Sequence, residues 1–405
     1  MNMPAPTRPA FASWLGTTND VTRTFLAATR IPGLINMAGG LPAPETYPAE
    51  AVAELARRAI AENPGDTLGY GPIEGLPELR DALARRFSAD GLPLTRDNVL
   101  VTTSGMQGLD LIGKVLLEEG SIVAGQFPTY LGALDAWRPR MPKFRNLVLD
   151  DPALDAAALF TGAQFAYTVP NFSNPTGKLV DLAMRETLVE AAHRTGTWLV
   201  EDDPYGGLHY DAVPLSRLIE LSGCRLASKP YDGPVLYMGT LSKEIAPGLR
   251  IGWVIAAPEM IAALTLAKQG SDMCTSGVTQ RIALGAIEAG LIEAIQPAIV
   301  ELYRRRRDAL CAAMAEHLAG TFQWDVPSGG MFVWAVARDP ALDTDLLLKR
   351  AMESGVCITP SSVFDATGQN RRAIRINFTR NEPEKLVEGV KRLATAIRTM
   401  QGNRN

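Results

Sequence analysis

The chain has few of the residues that build metal centres and disulfide frames. Its 405 residues include four cysteines and three histidines. Cys224, Cys274, Cys311 and Cys357 are scattered, with no CxxC pair and no neighbouring histidine, which excludes a zinc ribbon or a disulfide scaffold and reads as reduced thiols of a cytoplasmic protein. His193, His209 and His317 show no ligand spacing, so no metal is expected. An excess of one charge is also missing. Forty basic residues against 44 acidic ones leave a net charge of −4, which points away from nucleic acid and anionic membranes. No uninterrupted apolar run reaches the ~18 residues of a membrane span. The amino terminus, "MNMPAPTRPAFASWLGTTND", has no basic segment leading into an apolar core. Internal repeats and low-complexity segments are absent too.

What is present is alternation. From residue 98 the apolar runs "NVLVTT", "SIVAGQ", "FAYTVP", "WLVEDD", "VLYMGTL" and "IGWVIA" are separated by helical patterns. One of these, "LAMRETLVEAAHRT" (182–195), has Asp181 as N-cap, Gly196 as stop, and Met184, Leu188 and Ala191 on one face. The pattern predicts an α/β domain with a largely parallel sheet, whose ligands sit at the carboxyl ends of the strands. Polar clusters fall at those ends: Ser104-Gly105-Met106, Glu201-Asp202-Asp203, and Thr240 to Lys243. Residues 276–318 read as mostly helical, interrupted at Pro297, with Arg304–Arg307 as a solvated face. Beyond them "GGMFVWAVA", "VCITP" and "AIRINFT" read as strands of a smaller second domain, followed by an amphipathic helix near 383–399.

The most informative stretch is Gly239 to Gly252, "GTLSKEIAPGLRIG". It places one lysine between two buried strands. Burial depresses a lysine's pKa and makes its neutral amine a nucleophile toward carbonyls. Thr240 and Ser242 offer hydroxyls, and Arg250 a planar fork suited to phosphate. A nucleophilic lysine beside a phosphate cradle suggests pyridoxal 5′-phosphate (PLP), whose aldehyde condenses with lysine. That cofactor needs a buried carboxylate at its ring nitrogen, and Asp202 is placed for the role, with Glu201 and Asp203 reading as surface-turn carboxylates. At ~4 Å and an effective dielectric of ~20 such a pair is worth roughly 4 kcal/mol.

These stretches resemble the fold type I, class I/II PLP-dependent aminotransferases. The resemblance spans most of the chain. It rests on "DDPY" (Asp202, Tyr205), on the intact Asn-Pro-Thr-Gly of "NFSNPTGK" (Asn174), on "TLSKEIAPGLRIG", where Thr240 replaces a serine, and on "AIRINF" (Arg375). It implies an α/β fold with a large PLP-binding domain over 49–300, a small C-terminal domain over 301–405, and an N-terminal segment, 1–48, that contributes to the small domain and the substrate lid. It further implies that Lys243 carries the cofactor and shuttles the proton, that Tyr205 and Asn174 bind the ring oxygen, and that Arg375 holds the substrate carboxylate.

The stretches "INMAGGLPAPETYP", "LGYGPIEGLPELR", "PTYLGAL" and "PSGGMFVW" look like the 2-aminoadipate and kynurenine aminotransferase group. Carried over, Gly105 and Met106 face the phosphate through their backbone, beside Ser104. Tyr130 stacks on the ring, Gly39 lies by the substrate carboxylate, and Arg23 meets a distal carboxylate. Tyr70 reaches the phosphate of a second subunit, which implies a homodimer. Neither Gly105 nor Met106 has the polar side chain that many relatives carry there, so phosphate binding falls to amides at a helix start. The implied reaction moves an amino group from an L-2-amino acid to a 2-oxo acid such as 2-oxoglutarate. A β-lyase or decarboxylase would share every cofactor contact. A transcription regulator would need a DNA-binding module ahead of "AGGLP", where 37 residues stand.

Overall fold

Nearly every residue of the runs between 99 and 255 is buried, as a sheet covered on both faces requires. A computed structural model describes residues 10–17, 24, 27–28, 30–89, 91–226 and 230–402. In chain order its strands are β1 (Ile35–Asn36), β2 (Val99–Thr102), β3 (Ile122–Gln126), β4 (Lys143–Leu147), β5 (Phe165–Thr168), β6 (Trp198–Asp202), β7 (Val235–Thr240), β8 (Gly252–Ile255), β9 (Phe322–Gln323), β10 (Phe332–Ala337), β11 (Val356–Cys357), β12 (Thr359–Pro360) and β13 (Ala373–Asn377). Seven of them form one sheet in the order β2-β8-β7-β6-β5-β3-β4. Six run the same way, and β8 alone is antiparallel to both neighbours. The sheet is therefore mostly parallel, as the alternation predicts.

Strand alternation divides the core into two layers. Leu100, Val123, Tyr167, Val200, Met238 and Val254 pack on one side with the helix Ser104–Leu116. Val101, Ala124, Ala166, Leu199, Tyr237 and Trp253 pack on the other with Pro77–Phe87 and Leu182–Thr195. The latter helix has the ends its sequence predicts: the Asp181 side chain accepts from the Met184 amide, and Gly196 closes it at φ 71°. A second sheet, β12-β13-β10-β9, is antiparallel and packs with Pro383–Gly402. The N-terminal β1 pairs in parallel with β11.

Four expectations need correction. Strand β4, "KFRNL", was not anticipated, because an edge strand exposes charged residues that break the apolar signal. "VCITP" is two strands in different sheets. Pro297 does not interrupt its helix, since Leu291–His317 runs through it and the break lies earlier, at Gly290 with φ 62°. Pro297 and Glu293 are both exposed, so the carbonyl deprived of its intrahelical donor can turn to water. Finally, the arginine run is not a solvated face. Helical periodicity turns two of its members inward: Arg306 is 1% exposed, donates to the Thr379 carbonyl (2.7 Å) and pairs with Glu45 and Glu382. Arg307 donates to the Pro327 carbonyl (2.9 Å) and pairs with Asp211.

Candidate active site

The carboxyl ends of β2, β6 and β7 open into one cavity of about 290 Å³. It gathers Ser104, Gly105 and Met106 after β2, Asp202 at the end of β6, Tyr205 just beyond it, and Thr240, Ser242 and Lys243 around the end of β7. Gly39, Tyr130, Asn174, Arg250 and Arg375 join from elsewhere in the chain. Of the residues singled out in the sequence, Tyr70 stands apart: it is 88% exposed and does not line this cavity. Arg23 lies outside the described residues.

Only one of the three consecutive carboxylates serves the cavity, although none is the surface-turn group expected. Glu201 is fully buried and accepts the Leu218 and Ile219 amides at 2.9 and 3.0 Å, capping a helix on the far side of the sheet. Asp203 is buried too, bound by Asn171 Nδ2 (2.8 Å) and the Tyr237 hydroxyl (3.3 Å). Asp202 points the other way. Tyr167 pairs with Val200 on the adjacent strand, so its side chain shares a face with Asp202 two residues on, and its hydroxyl donates to Asp202 Oδ2 at 2.7 Å. Burial pushes the Asp202 carboxyl up to about 6, with Asp203 adding to the shift and the Tyr167 hydrogen bond opposing it. A buried carboxylate of this kind is complementary to a cation.

Lys243 follows β7 by three residues, and its Nζ donates to the Gly40 carbonyl at 2.7 Å. Burial, and then the charges of Arg375 and Arg250, lower its pKa to about 8. The turn that holds it is self-bonded. Thr240 Oγ1 accepts the Ser242 amide (3.1 Å) and lies 2.9 Å from both Ile251 O and Ser242 Oγ, its one proton serving one of the two.

Arg375, in the middle of β13, is 3% exposed and lies between two rings, 4.3 Å from the Phe332 centroid and 4.7 Å from that of Phe364. Its Nη1 donates to Asn174 Oδ1 (2.6 Å) and its Nη2 to Ala38 O (2.6 Å), while the buried Nε has no partner among the described residues. Because arginine only donates, this contact fixes the Asn174 amide, whose Nδ2 then donates to the Tyr205 hydroxyl at 3.3 Å. The phenol keeps its own proton for another acceptor. Tyr130 completes the wall, its hydroxyl 3.4 Å from Met106 Sδ, and burial pushes its pKa up to about 12.

Sequence reasoning missed Tyr167, Gly40, Phe332 and Phe364. A phenol inside the apolar run "FAYTVP" was the one readable signal; the others are tertiary contacts.

The family model described as aminotransferase class I and II matches residues 33–393. The chain belongs to the class I and II aminotransferases. It is 37% identical over 398 residues to aromatic-amino-acid aminotransferase 1 of Thermococcus litoralis, covering 95% of this chain and 93% of the relative. Among solved structures it is similar to the α-aminoadipate aminotransferase of Thermus thermophilus complexed with N-(5′-phosphopyridoxyl)-L-leucine (TM-score 0.87, 32% identity, 97% and 98% of the two chains). It is equally similar to the kynurenine aminotransferase of Pyrococcus horikoshii in complex with PMP (TM-score 0.87, 32% identity, 96% and 97%). The enzyme is thus a fold type I, PLP-dependent aminotransferase. Its residues fit that cofactor, since the cavity combines a weakly basic amine, a buried carboxylate with no cation beside it among the described residues, and a phenol with a proton to donate.

Proposed function

We propose that the enzyme moves an amino group between L-2-amino acids and a 2-oxo acid, with 2-oxoglutarate as acceptor and aromatic, aliphatic and 2-aminoadipate-type donors. The observation that carries this reading is the Arg375 side chain: a buried cation, clamped between rings, that lines the cavity holding Lys243. That is a binding group for a substrate α-carboxylate. When bound, PLP supplies an aldehyde that takes the amino group and a ring that accepts the electron pair of the broken Cα–H bond.

The chain's own residues do the rest. Arg375 orients the substrate by its carboxylate. Lys243 Nζ, weakly basic through burial, takes the proton from the substrate α-carbon near neutral pH. Asp202 holds a proton on the ring nitrogen, and Tyr205 and Asn174 bind the ring oxygen. The amides of Ser104, Gly105 and Met106, the Ser242 hydroxyl and Arg250 take the phosphate, while Thr240 shapes the turn. Tyr130 covers the ring and Gly39 leaves room for the carboxylate. Leu41, Leu109, Leu131 and Val169 give the cavity the apolar lining that neutral donors require. The enzyme works as a cytoplasmic homodimer, with Tyr70 of the partner subunit completing each phosphate site; its high exposure in a single chain and the scattered placing of the four cysteines support this.

The test is a panel of amino acids incubated with 2-oxoglutarate. Stoichiometric glutamate and the matching 2-oxo acid are expected, with no turnover in Lys243→Ala. Catalytic release of ammonia or CO₂ without any oxo acid would overturn the reading.

A further inference from the structure

The phosphate end of the site depends on backbone in an uncommon conformation. Ser104, the first residue of the helix Ser104–Leu116, has φ 75°, a left-handed value that a non-glycine residue adopts only when its surroundings hold it there. Thr103 precedes it. Its amide donates to Gln107 Oε1 (2.7 Å), and its hydroxyl donates to Asp272 Oδ2 (2.7 Å) and lies 3.2 Å from Thr275 Oγ1. Asp272 Oδ1 in turn accepts Lys268 Nζ at 2.6 Å. Lys268 is fully buried, in the last turn of Pro258–Gln269, and nothing in the reaction uses it.

We propose that Lys268 and Asp272 act through Thr103 as a positioning pair that holds the start of the Ser104–Leu116 helix in the shape that binds phosphate. The proposal rests on the reading of Ser104 to Met106 as the phosphate site. It follows from what that site lacks. Gly105 has no side chain and Met106 no polar one, so binding there depends on where the amides point, and on the residues that fix them. A buried ammonium is a strong reason for Asp272 to stay ionised: burial works against its charge, but hydrogen bonds from Lys268, Thr103 and Gln107 outweigh that and hold its carboxyl below the usual range. A fixed carboxylate then fixes the Thr103 hydroxyl, one residue ahead of the left-handed turn. The opposite side of this turn is closed by Gly252, where an added Cβ would stand 2.7 Å from both Gly105 N and Ser104 C.

A positioning pair predicts a loss specific to phosphate. The full-length enzyme is stripped of cofactor and titrated with PLP and with pyridoxal, which lacks the phosphate. Thr103→Val removes one hydroxyl and little volume; it should weaken PLP about tenfold, the scale of one hydrogen bond to a charged group, and pyridoxal by no more than about twofold. Thr103→Ser should restore PLP affinity. Lys268→Met should shift PLP in the same direction, and saturating PLP should recover kcat in each variant. Equal losses for PLP and pyridoxal, or no loss, would overturn the pair's role. Arg250→Ala separates this from the underlying reading: if it too fails to distinguish the two ligands, the phosphate site itself is misplaced.

Discussion

Replacing Asp202 by asparagine should stabilise the cofactor-free enzyme while crippling its chemistry. The carboxyl is buried with no cation beside it among the described residues, and its pKa rises from 3.8 to about 6. An acid whose folded-state pKa exceeds its unfolded one contributes stability that is present below the unfolded pKa and lost as pH rises through the folded one. For Asp202 the window runs from 3.8 to about 6. A shift of about two units corresponds to ~3 kcal/mol at neutral pH, each unit being worth about 1.4 kcal/mol. Asparagine keeps the shape and an acceptor for the Tyr167 hydroxyl but carries no charge, so the gain in Asp202→Asn is the ~3 kcal/mol less the difference between a charged and a neutral hydrogen bond, roughly 1–2 kcal/mol net.

The assay is urea denaturation of the apoenzyme, wild type against variant, from pH 4.5 to 7.5. The variant's advantage should grow with pH up to about 6 and level off above it. In holoenzyme the advantage should shrink, because the ring cation compensates the carboxylate. The variant should still bind cofactor, and its single-turnover removal of the α-proton should slow by several orders of magnitude. A variant less stable than wild type by an amount independent of pH would refute the electrostatic argument. An unchanged single-turnover rate would remove Asp202 from the ring-nitrogen role.

The basicity of Lys243 sets the pH at which apoenzyme captures PLP: with a pKa near 8, about one amine in ten is neutral at pH 7, against about one in three thousand at the ordinary 10.5. The second-order rate of recombination should therefore level off above about pH 8, and Arg375→Leu should move the midpoint up without reaching 10.5, since burial is the larger cause; a rate still climbing through pH 9.5 in wild type would contradict this. Arg23→Ala should lower kcat/KM for glutamate and 2-aminoadipate by about ten- to a hundredfold, the value of a charge-assisted pair, and leave leucine within roughly threefold. Equal losses for acidic and neutral donors would show that Arg23 supports the fold instead.

Much of the site was legible because its residues stand at strand ends, where a buried run stops and a polar residue needs a reason. Lys243, Asp202 and Ser104 were visible in that way. What supports them was not. Gly40 lies 203 residues from the lysine it binds, and Ala38 and Asn174 are 337 and 201 residues from Arg375. No local pattern encodes contacts of that range. Arg306 and Arg307 looked solvated because composition does not reveal which side of a helix meets the core, and their carbonyl and carboxylate partners come from segments up to 261 residues away.

The spacing of "TLSKEIAPGLRIG" also acquires a geometric reason. Strand β7 delivers Lys243 and the chain must then reverse, because β8 returns antiparallel beside it. The reversal uses the short helical turn Pro247–Leu249 and a left-handed Arg250 at φ 52°, whose Nη1 donates to Pro247 O at 3.0 Å. Ile251 then offers its carbonyl to Thr240 Oγ1 across the mouth of the hairpin (2.9 Å). The first residue of β8 must be glycine, since it lies against the backbone of Ser104 and Gly105. A hydroxyl, a lysine three residues later, an arginine seven beyond that and a glycine two further on are thus successive points on one hairpin. Its turn carries the amine, while its returning strand presses on the helix start proposed to bind phosphate. The threonine at residue 240 keeps the one group this hairpin asks of it, a hydroxyl that reaches Ile251 O.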